Sequence, residues 1–356
     1  MTVRTYILTL LKKTPFNDIT KDFDNLEIIK GAGTTFTLKI LGLGFSYIFN
    51  ILFARLYGAE VMGLFALAIT VAGIFSLFGQ MGTETSLVRF VAQYAGESNY
   101  NMVKEIHKNT IQIVLPLSIF FGFLFYTVSP WFANTIFHKS SLIAPFKITA
   151  FVLPFGALMG VNTASLRGLK RIQDAYIFNT ILPPILNTAG LMGLTYFVMK
   201  NYLTPIYVNL ITGMIGSFLS FKLWYNWKNK LVYEKGKKNK VKISTRDIMK
   251  ISLPMFLTSS VLFVMGWTDM FMVGMFRSTN EVGVYRIAIK IALLSSFTLG
   301  AVNSIAAPKF SELYWNSENA RLKNVIKSSS KIIFWSSLPI CLIIIIFPSQ
   351  ILVESR

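Results

Sequence analysis

The chain has 356 residues, of which 53% are hydrophobic and only 14% charged, and its formal net charge is +19. Soluble domains carry about 25% charged residues, so this composition excludes an ordinary soluble enzyme or binding domain. In a soluble protein the positive excess would suggest nucleic acid; here it sits in loops between apolar runs, and no nucleic-acid partner is expected.

The first thirty residues are polar and mixed in charge. No short apolar core follows directly on basic residues, so a cleavable signal peptide is not expected. A bilayer core takes about 20 apolar residues per helix. Nine candidate spans follow, at 34–54, 61–80, 110–129, 142–163, 176–198, 203–224, 251–276, 282–305 and 332–353. None has the wide polar face of a soluble helix. Gly31-Ala-Gly33 precedes the first span but lacks the strand and the remaining pattern of a phosphate loop, and reads as a cap or hinge. No nucleotide site is visible. Pro116, Pro154, Pro183, Pro184, Pro254 and Pro339 interrupt spans, where each frees a carbonyl and bends the helix. Cys341 lies in an apolar run, and one cysteine gives neither a disulfide framework nor a thiolate metal site. His107 and His138 read as loop residues, which leaves no zinc site or histidine-dependent triad within the membrane. No metal and no cofactor are expected.

The loops orient the chain. Of the 35 Lys and Arg residues, 27 fall on the side of the N-terminus and of the loops after the second, fourth, sixth and eighth spans, with Lys39 and Lys222 counted there from span ends, against five on the opposite side, with Lys147 counted there likewise. Positive loops stay in the cytoplasm, so the N-terminus is expected there, in a multi-pass protein of the cell membrane.

The chain also repeats itself. Arg55-Leu-Tyr-Gly-Ala-Glu60-Val-Met-Gly63-Leu-Phe65 is matched by Arg277-Ser-Thr-Asn-Glu281-Val-Gly283-Val-Tyr285. From Gly63/Gly283 onward the spacing is 220, through Ala68/Ala288, Arg89/Lys309, Phe90/Phe310, Tyr94/Tyr314 and Asn99/Asn319. Both copies start in the cytoplasm, so they are parallel repeats about an axis along the membrane normal, with the substrate path between the lobes. The expected organisation is a cytoplasmic segment 1–33, a six-helix lobe 34–225, a basic linker 226–250 and a partial three-helix lobe 251–356. A complete second unit would run to about residue 440 on this repeat. The expectation is a chain truncated at its C-terminus or one part of a split gene, rather than a deliberate nine-helix design.

The run Ile48-Phe-Asn-Ile-Leu-Phe-Ala-Arg55-Leu-Tyr-Gly58-Ala-Glu60-Val-Met-Gly63-Leu-Phe65 resembles the first helix pair of the polysaccharide-biosynthesis flippases. So do Gly82-Thr-Glu-Thr-Ser-Leu-Val-Arg89-Phe90 and, in the second copy, Asp269 followed by Glu281-Val-Gly283-Val-Tyr285. These belong to the multidrug/oligosaccharidyl-lipid/polysaccharide (MOP) exporter superfamily. The resemblance covers residue 30 to the end. It implies an all-α, MATE-like bundle of two lobes around a central cavity, with twelve to fourteen helices where this chain has nine. It further implies a non-enzymatic flippase that moves polyprenyl-(pyro)phosphate oligosaccharide by alternating access, among membrane lipids and polysaccharide-assembly enzymes. The alternatives are a cation-coupled multidrug exporter of the same fold, driven by protons or sodium, and an inactive fragment. A membrane glycosyltransferase would need acidic residues in a sizeable outer loop, and these loops are short.

Charges inside a membrane are costly and mark cavities or partners. Asp269, Arg286 and Lys290 are the three. Residues 286 and 290 share a helix face, and all three reach the outer half of the second lobe. Either Arg286 and Lys290 form a cationic patch for a sugar-lipid pyrophosphate, with Asp269 tuning it or coupling to a cation, or Asp269 and Arg286 form an ion pair pinning two helices, which leaves Lys290 for the substrate. In the first lobe Lys39, Ser46 and Asn50 share a face. Lys39 is a candidate substrate-binding residue or, near the cytoplasmic end, one that only snorkels, while Asn50 and Tyr47 are candidates to line the path. Asn162, Thr163, Asn187 and Asn303 read as interhelical hydrogen-bonding residues. Arg89, Lys309 and Arg167, with Lys170 and Arg171, sit at the cytoplasmic mouth, where they draw in an anionic headgroup or simply contact anionic lipid.

Overall fold

Lipid offers no partner to backbone N–H and C=O groups, so long apolar runs must satisfy them internally as helices. A computed structural model describes residues 23–197, 201–230, 245–293, 299 and 318–346, and every regular element among them is helical.

Helix α1 covers Phe23–Gln80 and takes in Gly31 and Gly33, so that pair lies within a helix and forms no cap. It breaks at Gly58, whose φ of 76° and ψ of 174° belong to a region essentially reserved for glycine. The ring of Phe65 lies 6.4 Å from Phe49 and 5.3 Å from Phe53. Along a straight helix Phe49 and Phe65 would be about 24 Å apart. The chain therefore reverses at Gly58, giving arms α1a and α1b. The apolar stretch Thr37–Gln80 has 44 residues, about 66 Å of helix, enough for two crossings of a bilayer core.

After Gly82, at φ 70°, comes α2 (Thr83–Gly96). Helix α3 (Tyr100–Trp131) is capped by Asn99, whose side chain accepts from Met102 N at 3.3 Å. Helices α4 (Ile143–Ala150) and α5 (Val152–Gly168) form one span bent by 41°. Pro154 has no N–H for the Ala150 carbonyl, which accounts for the bend. In α6 (Ile172–Tyr176) and α7 (Leu182–Phe197) a π-turn at Ile177–Ile181 directly precedes Pro183 and Pro184. The missing donors release the carbonyls of Asn179 and Thr180 from the regular ladder. Then follow α8 (Thr204–Lys230), α9 (Thr245–Phe276), α10 (279–293) and α11 (Asn319–Ile346).

Among the described residues, five helices are long and apolar enough to cross a membrane, six with the bent pair, and the first of them is long enough for two crossings. The first seven predicted spans all fall on these helices. The eighth, 282–305, is helical to 293 within the described residues, and the ninth, 332–353, is helical through Ile346. Helices α8 and α9 run into both ends of the predicted linker; the stretch between them, 231–244, lies outside the described residues, as do Asn303 and Lys309.

His107 sits two turns inside α3, 5% exposed, and is not a loop residue. The Ser165 hydroxyl donates to the Val161 carbonyl and accepts from His107 Nδ1 at 2.8 Å, and the imidazole stacks on Trp224 at 4.2 Å. It ties α3, α5 and α8 together. His138, by contrast, is exposed in the turn after α3.

Two antiparallel seams join the lobes. In one, α1b lies along α9: Leu67 on Gly274, Gly73 on Phe263, Phe78 on Phe256 and Gly82 on Ser252. Ser86 and Ser252 close its basic end with a 2.7 Å hydrogen bond. At the other end Lys139 Nζ donates to the carbonyls of Gly274 and Arg277, capping α9 from the first lobe. In the second seam α1a lies along α10. The Tyr47 hydroxyl donates to the carbonyl of Lys290, and Ile287 packs into the cluster that holds Phe53 and Ala54.

These seams are images of each other. Leu67 and Gly274 become Ile287 and Ala54 when each number is shifted by the repeat of 220. Where the images meet, α1b crosses α10 through a reciprocal contact. A Cβ on Gly63 would overlap the carbonyl of Thr279, and one on Gly283 would overlap the carbonyl of Ala59. Gly63/Gly283 and Ala59/Thr279 are both 220 apart. The approximate two-fold axis passes through this crossing.

Candidate substrate site at the lobe seam

The second lobe carries the intramembrane charges on α9 and α10, and the structure arranges them differently from a simple ion pair. Asp269 does not pair with Arg286. Its Oδ2 accepts from the Tyr285 hydroxyl at 3.1 Å and its Oδ1 from Met270 N at 2.7 Å. That contact tethers α9 to α10. Arg286 turns toward the first lobe, its guanidinium carbon 4.9 Å from the centre of the Phe65 ring. Lys290 lies one turn further along the same face, partly buried. Among the described residues no carboxylate lies within 4 Å of either cation.

Two cations without an acid leave several N–H donors uncommitted in a low-dielectric setting. Such an arrangement is costly until an anion arrives. Guanidinium and ammonium donors suit phosphate oxygens, the first as a planar fork and the second as a point charge.

The first-lobe candidates divide. Tyr47 reaches the seam. Asn50, one turn on, does not: it is 7% exposed, its Nδ2 donates to the Ser46 carbonyl at 2.6 Å, and its Oδ1 has no hydrogen-bond partner. Gly42 packs on Thr180, and Tyr57 bonds Thr195 at 2.6 Å. Both contacts share one offset, which sets Asn50 level with Thr188 inside the lobe. Lys39 is exposed near the basic end, its Nζ 5.9 Å from the Tyr176 ring. Neither residue is brought to Arg286 or Lys290. Asn162 donates to Ser220 at 3.1 Å, an interhelical bond of the kind expected.

At the basic end Arg89 is exposed. Arg167 is not a free cation there, because it pairs with Glu84 at 3.3 Å and ties α5 to α2. Arg171 stacks over Trp227 at 3.5 Å. Gly160 makes room for Glu84, since a Cβ there would strike its carboxylate. Burial pushes the Glu84 carboxyl up from its ordinary value, and the Arg167 charge and hydrogen bond only partly offset this. A raised carboxyl binds its proton more tightly in the folded state than in the unfolded state. Its contribution to stability is therefore largest below about pH 4.5 and declines as pH rises through the folded value. Thermal unfolding of the wild type and Glu84→Gln in detergent, scanned from about pH 4 to 8, should show the wild type losing ground relative to the variant as pH rises. A difference independent of pH would rule this out.

Phe65, Tyr285, Glu84 and Lys139 escape sequence reasoning as site or tether residues. Phe65 and Tyr285 do carry a signal, since each closes its copy of the repeat motif.

A family model described as "Polysaccharide biosynthesis protein" matches residues 28–314. No curated protein sequence matches the chain. Among solved structures the chain is similar to the MATE multidrug transporter DinF-BH, with a TM-score of 0.60 and 15% identity over 91% of this chain and 73% of that one. It is similar to a MOP superfamily transporter from Pyrococcus furiosus described as having a binding pocket of reverse polarity, with a TM-score of 0.60 and 17% identity over 90% and 73%. The inward-facing conformation of a MATE family multidrug resistance transporter gives a TM-score of 0.64 and 18% identity over 91% and 75%. At these identities the likeness shows the fold alone, the MATE-like two-lobe helical bundle.

Proposed function

Because this chain belongs to the polysaccharide biosynthesis protein family, we propose that it is a flippase for polyprenyl-linked oligosaccharide, taking the lipid from the cytoplasmic to the outer leaflet by alternating access between its two lobes. The observation that supports this reading is the pair Arg286 and Lys290, two cations facing the lobe seam with no acid in reach among the described residues. A cavity built for cationic drugs would present the opposite charge. A sugar-lipid diphosphate brings the two negative charges that the pair lacks. In this reading the basic face is cytoplasmic, and Arg89 with its neighbours lies where the anionic headgroup enters. A proton or sodium gradient supplies the driving force.

Reconstitution into proteoliposomes tests it. A fluorescent polyprenyl-diphosphate oligosaccharide should become accessible to a reagent in the opposite compartment in a protein-dependent manner, and a cationic dye should not be moved. Movement of the dye with no movement of the lipid would replace this reading with the multidrug exporter. Repeating the assay with proton and sodium gradients identifies the coupling ion.

A further inference from the structure

Arg286 and Lys290 belong to α10, but the groups that hold them belong to the other lobe. Phe65 is 4% exposed and wedged between the rings of Phe49 and Phe53, so its face is a fixed surface. The guanidinium of Arg286 rests on that face. Tyr47 grips the carbonyl of Lys290, fixing the α10 backbone at the residue that bears the second cation. Neither contact consumes a side-chain donor. A ring offsets part of the cost of a cation in a low dielectric through its quadrupole, whereas a carboxylate would fill the same N–H groups the substrate needs. The tyrosine bonds main chain only.

We propose that Phe65 and Tyr47 are positioning residues for diphosphate, so that the anion site is assembled across the seam, with cations from one lobe and placement from the other. This rests on the reading of Arg286 and Lys290 as the diphosphate site. It adds that diphosphate binding depends on the α1a–α10 seam being closed.

Inorganic pyrophosphate binding to the full chain in detergent micelles, measured calorimetrically, tests both levels separately. Arg286→Gln should weaken binding at least tenfold if the cations take diphosphate. Phe65→Leu, which keeps apolar bulk but removes the ring, should weaken binding by about threefold to thirtyfold, the range of a desolvated cation–π contact. In the Arg286→Gln background the same change should have no further effect, and Phe65→Trp should bind like the wild type. Tyr47→Phe, which keeps the ring and loses only the hydroxyl, should weaken binding severalfold without a shift in unfolding temperature large enough to signal misfolding. Unchanged binding in both Phe65→Leu and Tyr47→Phe, or an equal loss from Phe65→Leu in both backgrounds, overturns the positioning role and leaves the diphosphate reading standing. Wild-type protein that ignores pyrophosphate, or binds it no better than Arg286→Gln does, removes the diphosphate reading and the positioning role with it.

Discussion

Replacing Lys290 or Arg286 with alanine should abolish surface polysaccharide while the protein remains in the membrane at its normal level. A hydrogen bond to a charged group contributes about 1.5–3 kcal/mol, which is roughly ten- to more than a hundredfold in affinity for each cation lost. The effect on folding should have the opposite sign. Among the described residues neither cation neutralises a carboxylate, so its removal strands no buried anion. Taking an unpaired charge out of a low dielectric relieves a cost. Thermal unfolding in detergent should therefore be unchanged or slightly higher for both variants. The bond from Tyr47 to the backbone of residue 290 survives the substitution. Asp269→Asn should be milder, because an amide oxygen still accepts from the Tyr285 hydroxyl. Normal export in the Lys290→Ala strain, by immunoblot of surface polysaccharide against membrane protein level, would refute the assignment of that residue.

Gly63→Ala and Gly283→Ala should each lower stability by about 1–3 kcal/mol, the range for forcing a methyl into a closed contact, and should impair transport as well. Backbone carbonyls, not flexible side chains, occupy the space each methyl would need. The helices must separate to admit it. Once one substitution has parted them, the second methyl meets a wider gap, so the double variant should cost less than the sum. Gly44 supplies the control: a Cβ there meets nothing within 4 Å, and alanine in a helix interior is favoured over glycine. Chemical or thermal unfolding of the four variants decides it. Strict additivity of the two crossing substitutions would rule out a shared contact.

The repeat is legible in the sequence because its markers are local motifs at constant spacing, and the structure extends it beyond those motifs. Phe49 touches Phe65 in the first lobe, and Asp269 touches Tyr285 in the second. Both pairs are images under a shift of 220. The spans are legible because apolar length alone demands helices in lipid. Pairings are harder. Asp269, Arg286 and Lys290 stand out as charges in apolar runs, yet nothing in the chain says that a tyrosine takes the aspartate and a phenylalanine takes the arginine. Glu84 reads as an ordinary residue of a polar segment; only in the fold do Gly160 and Arg167, far away in sequence, close around it. His107 reads as a loop residue because α3 begins ten residues before its apolar core, and hydropathy marks only the core.

The shift of 220 also shows where the two lobes part company. Arg286 and Lys290 correspond to Ala66 and Thr70, and Asp269 corresponds to Phe49. The scaffold is nearly two-fold while its chemistry is one-sided. On the proposed reading, a cargo between such halves would meet charge on one wall and, at the matching positions of the other, only Ala66, Thr70 and Phe49. On that reading its headgroup would be held by the charged half only while the other half is closed against it, and let go when that half swings away. The division of labour would be that of a palm and a thumb: one lobe would receive the load, and the other would secure it.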